Sequence, residues 1–224
     1  MPLNILALSD IHERTVFLKR LREDKRVATA DLVVVAGDIT HFKHVGKAVE
    51  VLNEIYAILG KPVFFVPGNC DSRALLEFKG IDDRVYNIHG TIREFGGAYF
   101  FGIGGSTKTP FNTLIEFSEE ELASLLAKWY DNLVEIRSNL VIVTHQPIKG
   151  YFDSVGGVNV GSVVYREYLE KIRPVAWITG HIHEHSGVVQ YGDTTILHPG
   201  PFQRGFYGIL IVGEKGSHGS VHRL

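Results

Sequence analysis

Short apolar runs at residues 5–8, 32–36 and 63–66 are rich in β-branched side chains and are separated by stretches with helical spacing. That alternation predicts a largely parallel sheet buried on both faces. Between the first two runs, Phe17, Leu18, Leu21 and Val27 form a partly helical stripe with Lys19, Arg20, Arg22 and Glu23 turned outward. Between the second and third, Val45, Val49, Leu52, Ile55, Tyr56 and Leu59 recur at helical intervals and stop at Gly60. Ser118, with Glu121 three residues on, reads as a capping box opening a helix that runs through Leu122, Leu125, Leu126, Trp129 and Leu133. Residues 98–103, 140–143 and 175–179 read as strands and 163–172 as a helix. Beyond them, 187–191 and 195–197 flank a Gly192-Asp193 turn, and 206–212 pairs with the last residues, so the chain ends antiparallel. Residues 151–161, with Gly156-Gly157, are the least regular stretch and are expected to form a mobile loop near the site. No repeat or linker interrupts the pattern, which predicts one domain over 1–224 with helices outside two packed sheets.

Composition narrows the function. No apolar run in the 224 residues approaches the ~20 needed to span a bilayer, so no membrane partner is expected. A formal charge of −2, with no run of four basic residues, argues against an extended nucleic-acid surface and for a small substrate. The single cysteine, Cys70, forms no internal disulfide, and residues 1–4 lead into the first strand without a secretory leader; both readings predict a cytoplasmic protein.

Chemistry enters at the ends of the strands. Asp10-Ile11-His12, Gly37-Asp38, Gly68-Asn69-Cys70-Asp71, Thr144-His145-Gln146 and Gly180-His181-Ile182-His183 each follow an apolar run. Ligands in α/β folds collect outside the carboxyl ends of strands, so five such tips predict one convergent site. Imidazole, carboxylate and amide oxygen together suit divalent ions, with Mn, Fe, Ni, Co and Zn all compatible. Asp10 and His12, two apart at a strand end, are expected on one face, and His181 and His183 form a second same-face pair. Taken singly the motifs are ambiguous, since Asp10 could cap a helix and 67–71 has the composition of a turn. Two metals ~3.5 to 4 Å apart need a shared anionic ligand, and Asp38 is the candidate bridge.

The ordered set Asp10-x-His12, Gly37-Asp38, Gly68-Asn69, Thr144-His145 and Gly180-His181-x-His183 resembles the calcineurin-like metallophosphoesterase superfamily over residues 5 to about 200. The resemblance implies an α/β fold, a four-layer α/β/β/α sandwich of two mixed sheets, with a dinuclear centre. Asp10, His12, Asp38 and His183 would hold one metal, and Asp38, Asn69, His145 and His181 the other, manganese being the first expectation. It further implies hydrolysis of a phosphate ester by a hydroxide bridging the two cations, with Asp38, Asn69 and His145 as the catalytic set.

The sequence departs from the family pattern at Cys70, where many members carry a histidine that assists the leaving group. A cysteine there resembles a smaller bacterial and archaeal branch associated with phosphodiester hydrolysis, and the bland alternative is a buried, inert thiol. His41 stands where a second aspartate often follows the bridging one. Gly102 to Thr107 lacks the spacing of a nucleotide loop and reads as a turn, and His198-Pro199-Gly200 is expected to shape the site rim. His41, Asn69, Cys70, Arg204 and Phe111 are the candidate substrate contacts. Phosphodiesterase activity is the leading expectation; phosphomonoesterase or protein phosphatase activity and a non-catalytic scaffold on the same fold are the alternatives.

Overall fold

The computed structural model describes residues 2–224. The first half runs β1 (Leu3–Leu8), α1 (Leu18–Glu23), α2 (Lys25–Ala28), β2 (Leu32–Ala36), α3 (Val45–Leu59), β3 (Val63–Val66), β4 (Gly80–Ile81) and β5 (Val85–Asn87). Next come β6 (Ile92–Phe95), β7 (Ala98–Ile103), β8 (Ser106–Thr107), β9 (Glu116–Phe117), α4 (Glu119–Ala127), α5 (Tyr130–Glu135) and β10 (Leu140–Thr144). The chain closes with β11 (Ser154–Val155), β12 (Val158–Asn159), α6 (Val163–Ile172), β13 (Ala176–Ile178), β14 (Gly187–Tyr191), β15 (Thr194–His198), β16 (Phe206–Gly213) and β17 (Gly216–Arg223).

Two large mixed sheets result, in the orders β17-β16-β1-β2-β3-β5-β4 and β14-β15-β13-β10-β7-β6. Strands β1, β2, β3 and β5 are mutually parallel, as are β7, β10, β13 and β15, and antiparallel hairpins finish both sheets at their edges. The two-residue period of the strands sorts their side chains into three cores. Ile5, Ala7, Val34, Ala36, Phe64 and Val66 meet Phe100, Val141, Val143, Ile178 and Leu197 between the sheets. Leu6, Leu8, Val33, Val35 and Phe65 turn the other way, onto Leu18, Leu21, Leu52 and Ile55 of the first helical layer. Ile103, Leu140, Ile142 and Trp177 likewise pack on Leu122, Leu126, Leu169 and Ile172 of the second. The result is the α/β/β/α sandwich, with every central strand buried on both faces.

Three local expectations are revised. The partly helical stripe from Phe17 to Val27 resolves into two short helices, because Asp24 adopts an extended conformation (φ −72°, ψ 122°) and its carboxylate caps α2 by accepting the Arg26 amide at 3.0 Å. The phenol of Tyr207 donates to the same carboxylate at 2.6 Å and holds the break in place. The helix opened by Ser118 has its capping box, but it divides at Lys128–Trp129 into α4 and α5, with the Trp129 ring 6.1 Å from that of Phe101. Within residues 151–161, expected to be irregular, Ser154–Val155 and Val158–Asn159 pair as the β11–β12 hairpin. Buried Asp153 accepts the Gly161 amide at 3.0 Å, and Gln146 donates to the Val160 carbonyl at 2.8 Å. A polar side chain reaching into a loop substitutes for the ladder bonds the loop lacks, and residue composition alone does not reveal it.

Candidate metal centre

The two sheets are stitched together where the strands of both end. His145, just past β10, donates its Nδ1 hydrogen to the carbonyl of Ala36 at the end of β2 (2.8 Å), and the Gly180 amide, just past β13, donates to the His145 carbonyl (3.1 Å). Beyond β1 the chain leaves the pleat altogether: Asp10, His12 and Glu13 have φ of 53°, 46° and 54°. The amides of Asp10, Ile11, His12 and Glu13 donate in turn to the carbonyls of Gly37, Asp38, Asp38 and Ile39, at 2.8 to 3.1 Å. The expected same-face strand pairs are therefore corrected. Asp10, His12 and His181 (φ 75°) have left-handed backbone past the strand ends, and they and His183 are aimed by turn geometry instead of pleat alternation.

These turns bring the buried carboxylates and His145 together with the partly buried His12, His181 and His183. Ligand-type atoms of Asp10, His12 and His183 lie within 4.8 Å of one another, and so do those of Asp10, Asp38 and His145. His183 Nε2 is 3.1 Å from Asp10 Oδ1 and 3.3 Å from His12 Nε2. Asp38 turns one oxygen toward each half: Oδ2 is 3.6 Å from His12 Nε2, and Oδ1 is 3.4 Å from His145 Nε2 while accepting the Cys70 amide at 2.9 Å. Asn69 Oδ1 is 2.9 Å from His145 Nε2, and the His181 ring lies 4.9 Å from that of His145.

The donor chemistry tests whether cations fit. His145 must carry its hydrogen on Nδ1 to bond Ala36, which leaves Nε2 as a lone pair facing Asn69 Oδ1 and Asp38 Oδ1, both acceptors. The amide orientation of Asn69 is fixed independently, since its Nδ2 donates to Thr113 Oγ1 at 3.0 Å and that hydroxyl donates to Glu116 at 2.6 Å. Three acceptors thus converge with no proton among them, an arrangement that a divalent cation satisfies. In the protein alone an extra proton takes that place. Burial opposes charging His145, but the neighbouring Asp38 carboxylate overrides it and raises the imidazole to about 9. Burial pushes the Asp38 and Asp10 carboxyls up, yet His145 brings Asp38 down to about 2, and the His183 hydrogen bond with nearby imidazoles holds Asp10 well below the carboxylate range. Burial, helped by charge on His145, lowers His181 to about 4, so it presents a neutral lone pair.

Other residues shape these ligands. Ser9 donates to Asp10 Oδ2 at 2.7 Å and the His181 amide donates to the same oxygen at 3.1 Å. Gln203 Nε2 reaches His183 Nδ1 at 3.4 Å. Asp71, which the sequence reading passed over as part of a turn, is fully buried and accepts from the Ile39, Thr40 and Gly68 amides and the Thr40 hydroxyl at 2.7 to 3.1 Å. It locks the loop bearing Asp38 to the loop bearing Asn69. Glycines make that approach possible: a β-carbon at Gly68 would fall on the Asp38 backbone nitrogen and carboxylate, and one at Gly37 on the His145 ring.

The candidate substrate contacts separate into two groups. His41, Asn69, Cys70 and Phe111 line a cleft of about 760 Å³ with His12, Asp38, His181 and His183. Arg204 does not line it; its guanidinium donates to the His183 carbonyl at 3.3 Å, which makes it a brace for the ligand turn. Burial and the Asp38 charge push the Cys70 thiol far above its ordinary range, so it stays protonated. His198 lies wholly buried at the end of β15 instead of on the rim, with its Nδ1 accepting the Gly200 amide at 3.1 Å.

The Asp10, His12, His183 and Asp10, Asp38, His145 groups, at the joined edges of two sheets, could each hold a metal ion. The chain belongs to the calcineurin-like phosphoesterase family, whose model matches residues 3–185. It is 34% identical over 208 residues to an uncharacterised protein of Methanocaldococcus jannaschii, covering 89% of this chain and 88% of that one. Among solved structures it shares its fold with a dimetal phosphatase from Danio rerio (TM-score 0.63, 13% identity, 99% and 98% of the two chains). An archaeal phosphodiesterase is similar in the same way (TM-score 0.55, 15% identity, 98% and 100% covered). No helix among the described residues is long and apolar enough to cross a membrane.

Proposed function

We propose that the protein is a dinuclear metal-dependent phosphoesterase that hydrolyses phosphodiester bonds in small substrates. The observation that carries this reading is the convergence of His145 Nε2, Asn69 Oδ1 and Asp38 Oδ1, which with the imidazole neutral are three acceptors that a divalent cation satisfies. Asp10, His12, Asp38 and His183 would hold one ion, and Asp38, Asn69, His145 and His181 the other. Two divalent ions bound there would supply Lewis acidity toward phosphoryl oxygens and lower the pKa of water toward ~7. Asp38 is suited to bridge because its two oxygens face different imidazoles, His12 and His145. The Ala36 carbonyl fixes the tautomer of neutral His145, so that Nε2 is the nitrogen left to ligate once its proton is displaced. Asn69 and His145 orient the phosphate alongside the ions.

Two features support a diester over a monoester. No lysine or arginine is found among the described residues lining the cleft, so nothing beyond the ions offsets the second negative charge that a monoester carries near neutral pH. Cys70, buried and protonated with a high pKa, is no substitute for a histidine acid, so leaving groups needing that acid lose a factor of about 10² to 10⁴. The test pairs metal content by mass spectrometry with hydrolysis of bis-p-nitrophenyl phosphate by manganese-reconstituted protein. Two metals and turnover in the wild type, both lost in Asp38→Asn, are expected. Metal-free protein without turnover would leave a scaffold on the same fold.

A further inference from the structure

The cleft above the ligand cluster carries two exposed aromatic side chains on separate loops. Phe111 is 80% exposed and Phe42 46% exposed, and both line the cleft that contains His12, Asn69 and His183. Single exposed apolar side chains are ordinary, and Val16 is 72% exposed away from the cleft, but these two aromatic rings both border the site.

Each is held in place from the metal-ligand side. The loop bearing Phe111 is fixed by Asn69, whose backbone carbonyl accepts the Leu114 and Ile115 amides at 2.9 and 3.1 Å and whose side chain donates to Thr113. The carboxylate of Glu116 gathers the Thr109 and Thr113 hydroxyls at 2.6 Å each and the Thr113 amide at 2.8 Å, closing the loop beneath Phe111. Phe42 has φ 55°, a conformation that is an outlier for a bulky side chain, and its amide donates to the Cys70 carbonyl at 3.0 Å. A glycine or asparagine would hold that turn with less strain, so the aromatic ring is not there for the backbone. From the ligand outward the rings continue edge to face: His12 to His41 at 5.4 Å, then His41 to Phe42 at 4.7 Å.

From this geometry we infer that Phe42 and Phe111 are specificity-determining residues that grip a flat aromatic group on the phosphate ester, of the nucleobase type, while the phosphate sits on the ligand cluster. The chemistry of the walls favours this occupant over a charged one. The apolar ring faces complement a neutral π-surface, whereas the cleft offers no lysine or arginine among its described lining residues to receive further phosphates or carboxylates. Stacking on an aromatic side chain is tolerant of base identity, so nucleobases as a class are the expected group.

This inference rests on the phosphoesterase reading above, and calorimetry on the manganese-loaded protein separates the two. The methyl diesters of adenosine 5′-monophosphate and of ribose 5-phosphate share a singly charged phosphate and a sugar and differ only in the base. The nucleotide is expected to bind about tenfold more tightly, as one base–aromatic stack provides. In Phe111→Ala the ratio of the two dissociation constants should fall toward one, and Phe111→Trp should restore it. Equal binding of both compounds to the wild type, or a ratio unchanged by Phe111→Ala, overturns the aromatic grip and leaves the phosphoesterase reading standing. Failure of both compounds to bind would overturn the reading beneath it and the grip together.

Discussion

His145 Nε2 lies 2.9 Å from the side-chain oxygen of Asn69, a contact bridged by a proton when the imidazole is charged and made of two converging lone pairs when it is neutral. Removing either partner removes a converging lone pair. Substitution of a residue that merely supports a metal ligand costs about 10- to 100-fold in metal affinity, so Asn69→Ala and His145→Ala should each lose at least that much. A manganese titration followed by calorimetry reads the effect, and near-wild-type affinity in both variants would remove this pair from the centre.

Gly68 has no room for a side chain. A β-carbon there meets the Asp38 amide nitrogen and carboxylate, and neither can give way without moving the loop that Asp71 locks. Gly68→Ala should destabilise the fold by about 1 to 3 kcal/mol, the usual range for overpacking. Metal binding should weaken further than that loss explains. Urea denaturation and metal titration on the same preparation would check both.

His89, remote in sequence from the ligand motifs, accepts the Gly104 amide at 2.9 Å, and burial pushes it down to about 4. Between pH 4 and its ordinary value of 6.5 the unfolded chain binds the proton and the folded one does not. Stability from the neutral ring is therefore complete above 6.5 and is lost as pH falls through that window, by up to about 3 kcal/mol. In chelator, so that metal release does not intervene, the urea midpoint of the wild type should drop between pH 7 and 4 more than that of His89→Asn. Parallel curves would refute the assignment.

The capping box of α4 offers a test free of the centre. Ser118 accepts the Glu121 amide at 3.2 Å while Glu121 accepts the Ser118 amide at 2.7 Å. Ser118→Ala should cost about 1 kcal/mol, visible as a lowered thermal midpoint with unchanged metal content.

Strands buried on both faces announce themselves as apolar runs, so β1, β2, β3, β7 and β10 are readable from the sequence, as is the clustering of ligand-type residues just beyond them. What the chain does with the turns is not. Asp10 and His12 occupy left-handed positions stabilised by carbonyls of the next loop, and no periodicity encodes a conformation imposed by a neighbour 27 residues away. Asp71 was in plain view within Gly68-Asn69-Cys70-Asp71, but its role depends on donors at Ile39 and Thr40. Asp24 offers a legible signal in hindsight: an aspartate followed by Lys25 and Arg26 in mid-stripe is a capping residue as readily as a helical one.

The hydrogen bond between Asp10 and His183 joins residues 173 positions apart. During synthesis the first ligand turn emerges early and must wait for four-fifths of the polypeptide before its partner exists. Closing so distant a pair is entropically slow and places completion of the centre late in folding. A ribosome-bound or truncated product ending before His183 would then carry Asp10, Asp38 and His145 without the partner that completes them. A metal centre of the kind proposed above would then be loaded only in the finished molecule.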